Sequence, residues 1–178
     1  MDMTREIRIE EGKLKVVFEI QENGVVELKQ FDPAGRMDVK ERDRGEEDFY
    51  PITEVQITGR GTRGMHAYKH NVSGGATDFV YQSHEVLENE KGKELVIHTA
   101  AEYGVKGEYH MQFYPNVAAV QVWTTLKNEG TEEIGLEYVS SFIYQGLCQS
   151  GEKPYFEKTS IYTPHNSWDC ESQWRKND

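Results

Sequence analysis

Basic residues are in short supply. The chain of 178 residues carries 20 Lys and Arg against 31 Asp and Glu, a formal net charge of −11. A surplus of that sign repels phosphate backbones and anionic lipid heads, which excludes nucleic acid and membrane surfaces as partners. Long hydrophobic runs are missing too. No stretch nears the roughly 18 apolar residues that a membrane-spanning helix needs. The opening residues, MDMTREIRIEEG, hold neither a basic n-region nor an apolar h-region, so no secretory leader is read there. There are two cysteines, Cys148 and Cys170, outside any C-x-x-C pattern. Isolated thiols of this kind fit a reducing cytoplasm. Amphipathic helical periodicity longer than two turns is also absent, which argues against an α/β or helical fold.

What is present points to strands. Aromatic residues reach 11%, ten of them Tyr, in a chain that is only 37% hydrophobic. Aromatic and β-branched side chains suit a pleated, half-buried surface. The length allows one domain over residues 1–178, burying roughly two-thirds of its unfolded surface. No internal repeat, low-complexity tract or linker divides it.

The stretch Val117–Tyr144 carries the strongest period-two pattern. Val120, Val122, Thr124 and Leu126 alternate with Gln121, Trp123, Thr125 and Lys127. Asn128-Glu129-Gly130-Thr131 supplies turn chemistry, with Gly130 open to positive φ. A second strand then runs from Ile134 to Tyr144. The expectation is a central hairpin, covered on two sides beyond Tyr138, that buries more than any other part.

Elsewhere Leu14, Val16, Phe18 and Ile20 alternate with Lys15, Val17 and Glu19, and Asn23-Gly24 turns the chain into Val25–Phe31, a strong hairpin signal. Weak alternation marks Pro51–Thr58. Strands are read at 77–87, 94–101, 108–114 and 155–163. In the third of these Tyr109, Met111 and Phe113 face inward. His98 is read as a hydrogen-bonded sheet residue. Ten or eleven short strands joined by Gly, Asn and Pro turns specify an antiparallel all-β sandwich.

Candidate sites are few. Between Asp38 and Asp48, nine of eleven residues are charged, which marks an exposed loop. Glu46 and Glu47 are solvated there. GRGTRG at 59–64 lacks the Lys-Ser/Thr and the following helix of a phosphate loop. His66 and His70 would share a metal on a helix, but along a strand four residues span about 13 Å. No metal ligand set, cofactor site or catalytic residue is assigned. Trp168 and Trp174 sit among charges in the polar tail, where exposed indoles stack on sugar rings or dock on a neighbouring surface.

Several segments, taken in order, resemble the N-terminal domain of bacterial α-galactosidases of glycoside hydrolase family 36. They are FEIQENGVVELKQFD at 18–32, KELVIHTAAEYGVKGEYHMQFYPNVAAVQVWTTLKNEG at 93–130, and LEYVSSF at 136–142. The resemblance implies a β-supersandwich, the fold shared with galactose mutarotase-like enzymes. It further implies that a catalytic barrel carrying both catalytic Asp residues follows in the same protein. On that basis this chain alone is inactive and supports the barrel. It also builds subunit contacts in a homo-oligomer, through Trp168 and Trp174, and borders the carbohydrate pocket. Asp48-Phe49-Tyr50 falls where the family has an Asp-Phe/Tyr-Arg loop reaching that pocket, which makes Asp48 a substrate-binding residue, although Tyr50 replaces the Arg. Asn166 to Glu171 falls on a Gly-x-Trp-x-Arg-Glu pattern, keeping Trp168 as a second sugar contact without the Gly or the Arg.

Two other readings compete. A carbohydrate-binding module would use Trp123, Trp168 or Trp174 as platforms. An epimerase or mutarotase would need converging His and Glu side chains as acid and base, and the sequence pairs none of the six His with a Glu.

Overall fold

The computed structural model describes residues 5–33, 50–61, 75–144, 157, 160–168 and 170–177. Asp48, Glu46, Glu47, His66, His70 and Cys148 lie outside them. The chain falls into two compact units, Met1–Arg36 with Asp43–Gln145, and Met37–Arg42 with Gly146–Asp178. Among the described residues there is no α-helix, and no helix long and apolar enough to cross a membrane. The architecture is all-β and antiparallel, as the turn spacing specifies.

In the first unit, β1 (Arg5–Glu11), β2 (Leu14–Ile20) and β3 (Val26–Pro33) form a three-stranded sheet in that order. The β1–β2 turn is a two-residue loop with Gly12 and Lys13 both at positive φ, 57° and 68°. That is the twist-matched geometry of a tight hairpin. The sequence reading missed β1, because Arg and Glu fill its outer face and leave little apolar pattern. The β2–β3 hairpin turns at Asn23-Gly24 as expected, with the Gln21 N–H donating to the Val25 carbonyl at 2.9 Å.

A second, four-stranded sheet runs in chain order: β5 (Val80–Asn89), β6 (Gly92–Ala100), β7 (Val105–Phe113) and β8 (Val120–Asn128). A 3-10 turn at Ala76–Asp78 leads into it. The two sheets share one core. Leu14, Val16, Phe18 and Ile20 from β2 cluster with Leu95 and Ile97 from β6 and Tyr109, Met111 and Phe113 from β7. The Phe18 and Tyr109 rings meet edge to face at 5.8 Å, a favoured aromatic geometry.

The expected central hairpin does not form. β8 pairs with β7, whereas β9 (Leu136–Val139) pairs with the short β4 (Val55–Ile57). β9 is no interior strand either: Leu136 and Tyr138 are exposed, as is Phe142 beyond its end. The residues that bury most are on β2, β6 and β7. The physical reason lies at Gly130. Its N–H donates to the Asn128 side chain, and a Cβ there would stand 2.6 Å from the Tyr103 carbonyl oxygen. Its lack of a side chain thus serves close approach to the Tyr103-Gly104 turn, and the chain crosses to another sheet instead of doubling back. Ser140, small enough for close approach, ties the end of β9 to its neighbour. It is buried, its hydroxyl accepts the Glu54 N–H at 2.8 Å, and its own N–H donates to the Glu54 carbonyl at 2.9 Å.

The second unit is described through one antiparallel ribbon, β10 (Ile161–Ser167) and β11 (Cys170–Asn177).

Candidate functional site

The core face of the four-stranded sheet is apolar, so the alternate residues of each strand form its other face. The register places them in rows. Ser83, His98, Glu108 and Thr125 lie side by side from β5 to β8; Glu85, Val96, His110 and Trp123 form the next row; Leu87, Glu94, Gln112 and Gln121 the one beyond.

Two imidazoles and three carboxylates alternate across this face. His98 directs Nε2 at Glu85 Oε1, 3.2 Å away, and Nδ1 at Glu108 Oε1, 3.5 Å away. His110 directs Nδ1 at Glu94 Oε1, 2.8 Å away, and Nε2 at Glu108 Oε2, 3.6 Å away. Glu108 therefore stands between the two rings with one oxygen toward each. Diagonal neighbours on adjacent strands are within reach of long side chains, and the register produces this alternation. The sheet-residue reading of His98 holds.

One end of the array is fixed. Asn89 Nδ2 donates to Glu94 Oε2 at 3.2 Å and to Gln112 Oε1 at 2.7 Å. The Gln112 amide donates in turn to the Lys93 and Phe113 carbonyls. The Trp123 indole stacks on His110, with centroids 4.7 Å apart and planes 6° from parallel. This packing leaves the His110 side chain only 13% exposed, against 45% for Glu108. The other end opens into a depression of about 450 Å³ lined by His98, Lys106, Glu108, Thr125, Lys127 and Glu129, among others. Lys106 and Lys127 contact Glu129 at 2.6 and 2.7 Å. Their ammonium groups hold its carboxyl well below the usual range, at about 2. Among the described residues no group of three or more His, Cys, Asp or Glu is placed to hold a metal ion.

The indoles singled out from the sequence are elsewhere. Trp168 occupies the β10–β11 turn and is 97% exposed; Trp174 on β11 is 65% exposed. Trp174 pairs with Pro164, and Tyr162 lies one pleat away on the same face, also exposed. The ribbon thus presents aromatic surface to solvent. Asp48 falls outside the described residues; Tyr50, which is described, donates its N–H to the buried Glu27 carboxylate at 2.6 Å.

The His–Glu array went unread in the sequence. A signal for it was there, since Glu94, Val96 and His98 alternate on one strand and Glu108, His110 and Gln112 on the next. The turn at 102–104 sets which of them face each other.

No protein-family model and no curated protein matches the chain. Solved structures do. One is a variant of the GH36 α-galactosidase AgaA from Geobacillus stearothermophilus in complex with 1-deoxygalactonojirimycin. It aligns at a TM-score of 0.50 and 15% identity, over 74% of this chain and 23% of that one. The GH36 α-galactosidase AgaB from the same organism aligns at 0.52 and 13%, over 75% and 22%. At these identities the likeness is one of fold. The chain spans less than a quarter of either solved chain.

Proposed function

We propose that this chain is a non-catalytic β-sandwich domain accessory to a glycoside hydrolase that acts on α-galactosides. The observation that carries the reading is the pairing of coverages: three-quarters of this chain matches a segment that is under a quarter of two α-galactosidases. Fold likeness alone does not transfer an activity, and the chemistry of the described residues is the second support for the reading. A retaining glycosidase needs two carboxylates about 5–5.5 Å apart over a pocket, one as nucleophile and one as acid. Here Glu85, Glu94 and Glu108 are each directed at imidazole nitrogens. The role assigned is to support a catalytic barrel, with Trp168 and Trp174 docking on that barrel or on a neighbouring subunit, and Asp48 reaching toward the sugar pocket.

The test is incubation of the purified chain, at high concentration, with a chromogenic α-galactoside. No turnover is expected. Activity that survives repurification and scales with the amount of protein would overturn the reading.

A further inference from the structure

We propose that the polar face of the four-stranded sheet, centred on Glu108, binds a neutral hydroxyl-rich ring of the hexopyranose class. The inference concerns a different surface from the indoles of the ribbon and does not depend on their docking.

A face that was merely solvated would leave its polar groups in water. Here the His110 side chain is largely withdrawn from solvent beneath the Trp123 indole, and its Nδ1 is held by Glu94, itself held by Asn89. Groups fixed in this way have already lost their conformational freedom, which lowers the cost of binding. Glu108 differs from them. Its two contacts to imidazole nitrogens, 3.5 and 3.6 Å, are longer than good hydrogen bonds, and its side chain is 45% exposed. A carboxylate has about four lone-pair sites, so Glu108 keeps acceptor capacity on the side that faces the depression.

The chemistry around it selects the ligand. Glu108 receives only these two long contacts, so a ligand hydroxyl can donate to it at ordinary hydrogen-bond distance. Thr125 adds a hydroxyl beside Glu108, and the two lysines add donors at the far wall. Trp123, half-buried and one pleat from Thr125 on β8, stands next to the depression and offers an apolar ring for the C–H face of a sugar. Three carboxylates repel an anionic ligand, and the two lysines of the depression, held by Glu129, disfavour a cation. A depression of about 450 Å³ is within the usual size of small-molecule sites, roughly 300–1,000 Å³.

The experiment is NMR titration of the whole chain, labelled at tryptophan and histidine, with methyl α-galactoside, methyl α-glucoside and, as a small-polyol control, glycerol. Saturable shifts are expected at the Trp123 indole and the His98 ring with at least one hexoside and not with glycerol. Glu108→Ala should weaken that affinity about tenfold or more, the loss expected for a hydrogen bond to a charged group. Thr125→Tyr, which fills the depression from β8, should abolish it while circular dichroism stays unchanged. The proposal is overturned if neither hexoside gives saturable shifts at Trp123 and His98 by ~100 mM, far above a ~1 mM dissociation constant. It is equally overturned if shifts appear only at Trp168 and Trp174, if glycerol reproduces them, or if Glu108→Ala leaves the affinity unchanged.

Discussion

The first unit and the ribbon of the second use aromatic residues in opposite ways. In the first unit most of them build or flank the core, with Tyr138 and Phe142 the exposed exceptions. Phe18 meets Tyr109, Phe79 meets Tyr103, and Phe31 meets both Phe142 and Tyr144, all edge to face. Burial pushes the Tyr109 phenol well above its ordinary range. On the ribbon Tyr162, Trp168 and Trp174 face solvent. An isolated two-stranded hairpin is marginal by itself, and large exposed indoles are rare where nothing binds them. Aromatic content therefore reports stability in the first region, and in the second it marks the docking surface proposed above. Only the surroundings tell the two apart.

The sharpest way to break the comparison is to truncate one aromatic in each region. Phe113 is fully buried between the sheets. Phe113→Ala should cost about 3–5 kcal/mol in urea denaturation and lower the melting temperature on the order of 10 °C. Trp174→Ala in the same assay should fall within ~0.5 kcal/mol. Equal losses would mean that the ribbon indole is core after all.

A smaller effect is expected where backbone meets backbone. Gly130→Ala places a Cβ 2.6 Å from the Tyr103 carbonyl oxygen. Rigid backbone on both sides makes the clash cost about 1–3 kcal/mol. Gly61→Ala, with nothing within 4 Å, should change stability by less than ~0.5 kcal/mol. A neutral Gly130→Ala would show that the Tyr103-Gly104 turn yields, and would remove the reason given for the missing hairpin.

That hairpin shows where sequence reading stops. Strands of the core were legible because one face of each is buried: Leu14, Val16, Phe18 and Ile20, or Tyr109, Met111 and Phe113, alternate cleanly and turn inward. Pairing was not legible, because alternation fixes a face and not a neighbour. Val120–Asn128 and Leu136–Val139 are both strands, yet β7 and β4 are their partners. The same limit hid the array around Glu108. Its members come from three strands, and a carboxylate beside an imidazole exists only after register is set. Trp168 and Trp174, in contrast, stood out at once, since an indole among charges violates the usual pattern of burial.

The next effect is one of pH. Lys106 and Lys127 lower the Glu129 carboxyl to about 2 in the folded chain, from an ordinary value of 4.5. A carboxyl whose folded value is depressed contributes stability that is complete above the unfolded value. That stability is lost as pH falls through the folded one. The wild type should therefore exceed Glu129→Gln in urea midpoint at neutral pH, and the gap should close between about 4.5 and 2. Because the carboxylate is on the surface, added salt should shrink the gap as well. A gap independent of pH would assign the effect to packing of the Glu129 stem.

The smallest effect on stability carries the most information about partners. Trp168→Phe and Trp174→Phe remove exposed indoles, so each should shift the unfolding midpoint by less than ~0.5 kcal/mol. The same indoles would bury roughly 200 Å² each against a docking partner, several kcal/mol by area before association costs are counted. Quenching of fluorescence by acrylamide separates these states. In the dilute monomer Trp168 and Trp174 should be open to quencher, and Trp123, half-buried and stacked on His110, should be quenched less. Each Trp→Phe change in the ribbon should therefore remove a readily quenched component and leave the less quenched one. If self-association at higher concentration protects the ribbon indoles, the partner is a second copy of the chain. If they stay open at every concentration, a second copy of the chain is not the partner. Full protection of both in a dilute monomer would make them part of the chain's own core, and the contrast between the two regions would be gone.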